Sequence, residues 1–246
     1  MSDSQISLIT GANKGIGFEI AKQLGNAGHK VLLAGRNVPA IRQAVVDLKE
    51  QGIDAYCLPM DITNHESIEQ AASHVESMFG KLDILINNAA IRVEEYGKLP
   101  SEQPLAQWWE TFNTNLFGAV SVTCSFLPLI KHSKAGKILN VSSLLGSITL
   151  HSDRTSYTYS DEFKSLPAYS ASKSALNSWT AHLAYELRDT SITVNSVHPG
   201  YTKTDLNDGD GVFTPEEGAI TAIEIALDTE NAMSGQFVHM KSVLPW

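Results

Sequence analysis

The sequence of 246 residues contains only two cysteines, Cys57 and Cys124, which lie far apart and have no clustered histidine partners. A disulfide framework or a zinc site is therefore not expected, and so low a count is typical of a reducing compartment. The first residues contain no basic segment followed by a long apolar run, so no secretory signal is predicted. We expect a cytoplasmic protein without a bound metal.

Basic residues are scarce and scattered, since 18 Lys and Arg stand against 27 Asp and Glu for a net charge of -9. Without a basic patch, neither nucleic acid nor an anionic membrane surface is an expected partner. The longest uncharged stretch, 111–130, is interrupted by asparagine, glycine and proline, which favours a partly buried helix over a membrane span. An anionic ligand would have to be held by a local site.

Short apolar runs alternate with helical patterns along the whole chain. The predicted strands are 5–10, 30–34, 55–58, 82–87, 137–141, 193–197 and 236–239. The predicted helices are 15–27, 37–51, 64–79, 103–131, 168–189 and 215–228. Nearly continuous apolar strands are typical of a parallel sheet covered on both faces. The order predicts a single α/β domain over 1–246, with a Rossmann-like doubly wound parallel β-sheet flanked by helices on both faces.

Two irregular segments, 144–167 and 201–214, follow the carboxyl ends of predicted strands, where open α/β sheets bind ligands. We expect both to form substrate loops, with Ile91, Leu144 and Tyr201 as walls of the pocket. The acidic run in the second segment does not fit a calcium loop, because Asp210 stands where an EF-hand requires glycine. A lid is the better interpretation.

A glycine-rich turn, TGANKGIG, occupies positions 10–17 between the first strand and the first helix. Glycines allow a sharp turn and a close approach to a pyrophosphate, and the helix N-terminus supplies free N–H groups. Its spacing resembles the Thr-Gly-x-x-x-Gly-x-Gly motif of the short-chain dehydrogenase/reductase family. The resemblance extends over nearly the whole chain, because the family's later motifs follow in order.

The second strand ends at Arg36, where an enzyme specific for NAD usually has an acidic residue. A guanidinium can clamp a 2′-phosphate but cannot accept a hydrogen bond from a ribose hydroxyl. With Lys14 it predicts NADP (NADPH) as cofactor, the alternative being that both residues are solvated surface charges. The resemblance implies further cofactor contacts, some of them in NNAA at 87–90, where the family usually ends in glycine. The implied cofactor residues are Gly11, Asn13, Lys14, Gly15, Ile16, Gly17, Arg36, Asp61, Ile62, Asn88, Ala89, Ala90, Tyr169, Lys173, Pro199, Gly200, Thr202 and Thr204.

The segment YSASK at 169–173 places Tyr169 and Lys173 four residues apart, on one face of a helix. A nearby ammonium would stabilise the phenolate and lower the pKa of the tyrosine, which is otherwise a poor proton shuttle at neutral pH. By match to the family, Ser143 in NVSS at 140–143 is the catalytic serine, whose hydroxyl donates to the substrate carbonyl. Asn115 is the asparagine that completes a proton relay. No Gly-x-Ser-x-Gly elbow is present, which disfavours a serine hydrolase.

The resemblance is strongest to the carbonyl reductases. It implies NADPH-dependent reduction of a ketone, aldehyde or quinone, with hydride transfer and Tyr169 as proton donor. A redox-sensing NADP-binding protein without turnover is the alternative. An epimerase or dehydratase of the same superfamily generally needs a longer C-terminal region than this chain has. We expect a small-molecule carbonyl substrate and a homodimer or homotetramer, with a monomer left open.

Overall fold

The computed structural model describes residues 4–230 and 233–246, which contain one eight-stranded β-sheet. The strands are β1 (Ile6–Thr10), β2 (Lys30–Gly35), β3 (Ala55–Pro59), β4 (Ile84–Asn87), β5 (Lys137–Val141), β6 (Thr193–Val197), β7 (Phe237–His239) and β8 (Ser242–Val243). Their order is β3-β2-β1-β4-β5-β6-β7-β8, and every neighbouring pair is parallel except β7 with β8. The chain order therefore reverses between β1 and β4, where open sheets of this kind bind ligands.

Helices cover both faces of the sheet. They are α1 (Gly15–Asn26), α2 (Val38–Glu50), α3 (His65–Phe79), α4 (Leu105–Phe112), α5 (Ala119–Ile130), α6 (Ile148–Ser152), α7 (Asp161–Lys164), α8 (Pro167–Glu186) and α9 (Pro215–Leu227). Helices α1, α2 and α9 pack on one face, and α3, α5 and α8 pack on the other. The predicted doubly wound architecture is confirmed.

Successive residues of the central strands point into two separate cores. Leu8 and Leu32 belong to the core beneath α3, α5 and α8, whereas Ile9 and Leu33 belong to the core beneath α1, α2 and α9. This alternation follows from the pleat of a strand, which sends neighbouring side chains to opposite faces. A strand buried on both sides has no position for a solvated side chain, which explains its uninterrupted apolar sequence.

The helix predicted over 103–131 is confirmed over Leu105–Ile130, but the π-helical turn within it was not predicted. Helices α4 and α5 are joined by a π-helical turn, Asn113–Gly118. The 144–167 segment also contains the short helices α6 and α7, which begin after the capping hydroxyls of Ser147 and Ser160. These serines accept the free N–H groups of a helix start, so they cap helices instead of lengthening a loop. The antiparallel strand β8 was not predicted either.

The stretch Leu105–Ile130 satisfies the length and hydropathy criteria for a membrane-spanning helix. Within the fold, its second half packs against α3 and β4. Val122 and Phe126 in that half are fully buried in the core. The apolar character of this helix therefore has a structural explanation within the described chain.

Candidate active site

The glycine turn is tied to the end of β4 by a set of short hydrogen bonds. The Asn88 amide donates to the carbonyl of Thr10 at 2.9 Å and of Gly11 at 3.3 Å, and the N–H groups of Asn88 and Ala89 donate to the Thr10 hydroxyl, both at 3.0 Å. A Cβ atom on Gly17 would lie 2.5 Å from the Asn88 amide nitrogen and 2.6 Å from the Gly11 carbonyl oxygen. The backbones approach so closely here that only glycine fits.

The N-terminus of α1, which follows this turn, carries no side-chain cap. Its N-cap residue, Lys14, makes no capping hydrogen bond, and the first turn contains no acidic residue. The first N–H groups of the helix have no intrahelical acceptor, and they carry a partial positive charge. Gly15 has a φ of +59°, and a Cβ there would touch nothing nearer than Thr204 Cγ2 at 3.7 Å. The turn therefore fits a phosphate group, as the sequence predicts.

Three of the predicted cofactor residues follow the ends of strands: Arg36 follows β2, and Asp61 and Ile62 follow β3. Arg36 is exposed, and it lies near enough to Asp61 to help lower the pKa of that carboxyl. The larger causes of the lowered pKa are the hydrogen bonds from the backbone N–H and the hydroxyl of Thr63. Ile62 is half-buried and lies against Gly118, where a Cβ would come within 3.0 Å of it. Two other predicted cofactor residues, Asn13 in the glycine turn and Ala90 after β4, are also half-buried.

The predicted catalytic residues converge at the carboxyl end of β5. Ser143 lies just after this strand, and its hydroxyl is near enough to the phenol of Tyr169 on α8 to help lower the pKa of that phenol. One turn later, the ammonium of Lys173 lies 5.6 Å from the centroid of the Tyr169 ring and donates to the carbonyl of Val141 at 2.8 Å. Tyr169 is 7% exposed and Lys173 is 2% exposed. The phenol, the hydroxyl and the ammonium thus occupy one enclosed site.

Burial dominates the electrostatics of this site and corrects one prediction. Desolvation raises the pKa of Tyr169 to about 12, although the Ser143 hydrogen bond and the nearby Arg92 act in the opposite direction. We expected Lys173 to lower the pKa of this phenol, but the protein groups alone raise it. Burial also lowers the pKa of Lys173 to about 8, because a buried ammonium is poorly solvated.

Asn115 lies in the π-helical turn and is almost completely buried. Its amide oxygen accepts the N–H of Ile91 at 2.8 Å, and its amide nitrogen donates to the carbonyl of Ile91 at 2.9 Å and to the hydroxyl of Ser172 at 3.1 Å. Asn115 therefore connects the segment after β4 to α8, one residue away from Lys173. π-Helical turns often occur at functional sites.

Above the phenol lies a cleft with a cavity volume of about 100 Å³. Its wall is largely aromatic, because Phe163 meets Tyr157 and Tyr201 edge-on at ring-centroid distances of 5.8 and 5.9 Å. Among the polar groups of the lining, Arg92 stacks on Tyr96 at 4.3 Å. Such a cleft fits a carbon-rich ligand with few polar groups.

His198 borders the cleft at the end of β6 and is 6% exposed. Its Nδ1 accepts the N–H of Leu144 at 3.2 Å. Burial, together with the neighbouring His239, lowers the pKa of His198 to about 3. The imidazole is therefore neutral and serves as a packed strand-end residue.

The segment after β6 brings Pro199, Gly200, Thr202 and Thr204 to the cleft. The Thr202 hydroxyl donates to the carbonyls of Pro199 and Gly200 at 3.0 and 3.3 Å, and the Thr204 hydroxyl donates to Asn207 at 3.1 Å. Both hydroxyls thus stabilise the loop itself in the protein alone. Gly200 has a φ of +81°, a conformation that favours glycine.

The acidic run folds over the cleft as a short 3₁₀ turn, Asp205–Asn207, which we call the lid turn. Lys14 pairs with Asp205 at one end of it. At the other end, Arg92 donates to the carbonyl of Leu206 at 2.8 Å and to Asp208 at 3.3 Å. The lid turn therefore connects the glycine turn to the wall of the cleft.

Across residues 4–230 and 233–246, no group of three or more His, Cys, Asp or Glu side chains could hold a metal ion.

Sequence reasoning identified one side of this cleft and missed the other. The predicted wall residue Tyr201 lines it, as does Leu206 in the lid turn, but Ile91 and Leu144 are not among the lining residues. Four further lining residues lie within the predicted substrate loop 144–167, although they were not named individually: Leu145, Tyr157, Phe163 and Leu166. Arg92 and Tyr96 were missed, because their segment is irregular and has no periodicity.

A family model, several relatives and a solved structure are similar to this chain, and all of them are consistent with the site described above. A family model described as short chain dehydrogenase matches residues 5–211. A short-chain dehydrogenase of Penicillium roqueforti is 39% identical over 226 residues, covering 90% of this chain and 88% of the relative. The (+)-neomenthol dehydrogenase of Arabidopsis thaliana is 31% identical over 291 residues, covering 96% of each. The solved structure of salutaridine reductase from Papaver somniferum superposes with a TM-score of 0.82 at 29% identity, covering 95% of this chain and 99% of that one. The chain therefore belongs to the short-chain dehydrogenase family, whose members are oxidoreductases that use nicotinamide cofactors.

Proposed function

We propose that this protein is an NADPH-dependent reductase of a small carbonyl compound, with Tyr169 as the proton donor. The observation that carries the proposal is the set formed by the buried Tyr169 phenol, the neighbouring hydroxyl of Ser143 on the wall of the same cleft, and the ammonium of Lys173. This set lies under an aromatic cleft and beside a glycine turn that fits a phosphate. Turnover requires the Tyr169, Ser143 and Lys173 set to act together with a cofactor bound at the glycine turn.

The glycine turn and the N-terminus of α1 are suited to the pyrophosphate, with Asn88 and Ala89 holding the turn in place. Arg36 and Lys14 are the cations available for a 2′-phosphate, which supports NADPH over NADH. When bound, the nicotinamide supplies the hydride for the carbonyl carbon. The loop of Pro199–Thr204, which borders the same cleft, is suited to orient its ring.

The raised pKa of Tyr169 keeps the phenol in the protonated form from which reduction starts. With a pKa of about 12 in the protein alone, the phenol holds its proton at neutral pH and is ready to donate it to a developing alkoxide. The Ser143 hydroxyl is placed to donate to the same oxygen. The phenolate left behind is stabilised by Lys173, whose pKa of about 8 leaves it mostly protonated at pH 7 and able to return a proton. Asn115 is suited to support this proton transfer, because it binds the backbone of Ile91 and the hydroxyl of Ser172, the residue before Lys173.

The cleft supports a substrate with an apolar, preferably aromatic, body. Tyr157, Phe163 and Tyr201 offer ring faces and edges, whereas Arg92 supplies charged donors near the lid turn. Relatives named as a salutaridine reductase and a (+)-neomenthol dehydrogenase support a small organic substrate. Ketones, aldehydes and quinones with a ring next to the carbonyl are the first candidates.

NADPH oxidation measured against a panel of aromatic aldehydes, ketones and quinones tests this function. We expect turnover with at least one class, a clear preference for NADPH over NADH, and a loss of roughly 10³-fold in Tyr169→Phe with NADPH binding retained. Equal use of NADH would refute the assignment of Arg36 and Lys14. Tight NADPH binding without turnover across the panel would favour the redox-sensing alternative.

The surface is compatible with the expected homodimer or homotetramer. Leu105 and Trp109 on α4 and Tyr185 on α8 are more than 60% exposed. Large apolar side chains on neighbouring helices favour association. Light scattering would measure the mass in solution.

The free cysteines Cys57 and Cys124 support a cytoplasmic, reducing location.

A further inference from the structure

Glu94, on the irregular segment between β4 and α4, reaches the first turn of α8 from outside the helix. Its Oε1 accepts the backbone N–H of Tyr169 at 2.6 Å, and the side chain is buried, since the residue is 5% exposed. Tyr169 is the third residue of α8, so its N–H has no intrahelical acceptor. The N-cap residue Leu166 provides no side-chain cap, and the first turn contains no acidic residue. Glu94 therefore supplies the missing cap.

The second oxygen of Glu94 is unusual. Oε2 is buried and has no hydrogen-bond partner within the described part of the chain. Leaving a buried carboxylate oxygen unpaired is costly, and a neutral side chain could accept the same N–H without burying an unpaired charge. The partial positive charge at a helix N-terminus offsets part of it. The charge of Glu94 therefore needs an explanation beyond capping.

The carboxylate is bonded to the backbone of the proposed proton donor, and its charge acts on the phenol of the same residue. Glu94 and Tyr96 raise the pKa of Tyr169, whereas Arg92 lowers it, and all three belong to one segment. On α8 itself, Lys173 lies 5.6 Å from the phenol ring centroid. From the other walls of the cleft, the titratable residues Tyr157, His198 and Tyr201 face the same space. Glu94 is thus the carboxylate that acts on this phenol.

We propose that Glu94 is a positioning residue for Tyr169, which anchors the first turn of α8 through the Tyr169 N–H and keeps the phenol protonated through the negative charge that it brings to this turn. This inference rests on the proposed function, because it assigns Glu94 a part in the same proton transfer. A purely structural cap would serve equally well as an amide. The carboxylate, by contrast, biases the site towards proton donation and hence towards reduction.

Glu94→Gln separates the charge from the cap, because glutamine keeps an acceptor oxygen for the Tyr169 N–H. In reduction, activity is lost as pH rises through the pKa of the phenol, and in the reverse oxidation it is gained there. We expect both limbs to move to lower pH in Glu94→Gln by about half a pH unit or more, which is roughly a threefold change in rate at a fixed pH on either limb. Glu95→Gln is the matched control, since Glu95 is exposed on the same segment and pairs with Lys98. The control should leave both limbs in place.

Glu94→Ala removes the cap as well as the charge and should also lower kcat, with partial rescue in Glu94→Gln. Unchanged limbs in Glu94→Gln, or an equal shift in Glu95→Gln, would overturn the proposal. NMR of ring-labelled tyrosine, assigned with Tyr169→Phe, provides a readout that needs no turnover. A lower titration midpoint in Glu94→Gln supports the role of Glu94 even if no substrate is reduced, in which case only the proposed function fails. An unshifted midpoint refutes it.

Discussion

The ammonium of Lys173 lies 5.6 Å from the centroid of the Tyr169 ring, while its hydrogen bond goes to the carbonyl of Val141. It is held over the phenol by the backbone of β5 and is cut off from water on all sides. Burial lowers its pKa from 10.5 to about 8. A group that the proposed reaction needs is thereby a cost to stability.

Replacing Lys173 with methionine tests that cost. Between about pH 8 and 10.5 the unfolded chain holds the lysine proton and the folded chain does not, so this group makes the protein more stable as pH rises. At pH 7 the buried ammonium opposes folding, and we expect Lys173→Met to raise the free energy of unfolding by about 1–3 kcal/mol while abolishing turnover. Denaturant unfolding at pH 7 and pH 10 measures this difference, which should shrink at the higher pH. Lys131→Met, at an exposed position, is the control. A destabilised Lys173→Met protein at pH 7 would contradict the prediction.

His198 should make the protein sensitive to acid. Its pKa is lowered to about 3 from 6.5, so between these values the unfolded chain binds a proton that the folded chain excludes, and stability falls as pH falls. His198→Asn retains an acceptor for the Leu144 N–H but cannot be protonated in this range. We expect its free energy of unfolding, relative to the unsubstituted protein, to rise by roughly 1.4 kcal/mol per pH unit between pH 6 and 4. Parallel stability curves for the two proteins would show that His198 is not the sensitive group.

The glycine turn should not tolerate an added methyl group at Gly17. The new Cβ would lie 2.5 Å from the Asn88 amide and 2.6 Å from the Gly11 carbonyl, so the junction of β1 and β4 must move apart. We expect Gly17→Ala to lose about 1–3 kcal/mol of stability and to bind NADPH at least tenfold more weakly. Calorimetry of binding and thermal unfolding measure both quantities. Unchanged affinity would separate this turn from the cofactor site.

Asp205 should compete with a phosphate for Lys14. The two side chains form an ion pair and are both largely exposed, so the pair contributes little to stability. We expect Asp205→Asn to tighten NADPH binding by roughly two- to fivefold, which corresponds to the energy of an exposed pair, and to leave NADH binding unchanged. Asp208→Asn, which removes the carboxylate paired with Arg92, is the matched control. An equal gain for NADH would show that Lys14 does not recognise the 2′-phosphate.

The sheet, the glycine turn and the pair Tyr169 and Lys173 could be predicted because each depends on neighbours in sequence. Apolar strands, a glycine spacing and an i, i+4 pair on one helix are local patterns. The direction of the pKa of Tyr169 could not be predicted in the same way. It depends on how completely the chain excludes water from the phenol, a property of the packed protein.

The contact of Glu94 with Tyr169 could not be predicted from the sequence either. Its hydrogen bond to Tyr169 joins residues 75 positions apart, and its own segment has no regular structure. No local spacing predicts such a contact, so a buried carboxylate on an irregular segment looked like an ordinary loop residue. The aromatic contacts of the wall could not be predicted for a similar reason, since Phe163 on α7 meets Tyr157 and Tyr201 only in the folded chain.

The π-helical turn Asn113–Gly118 makes chain length itself a determinant of the site. A π turn accommodates one residue more than an α turn, and each residue of an α-helix rotates the chain by about 100°. Deleting a single residue here would restore an ordinary helix, but it would rotate either Asn115 away from Ile91 or Val122 and Phe126 out of the core. An insertion or deletion in this stretch would thus be more damaging than most substitutions, even though no bond to a ligand is touched.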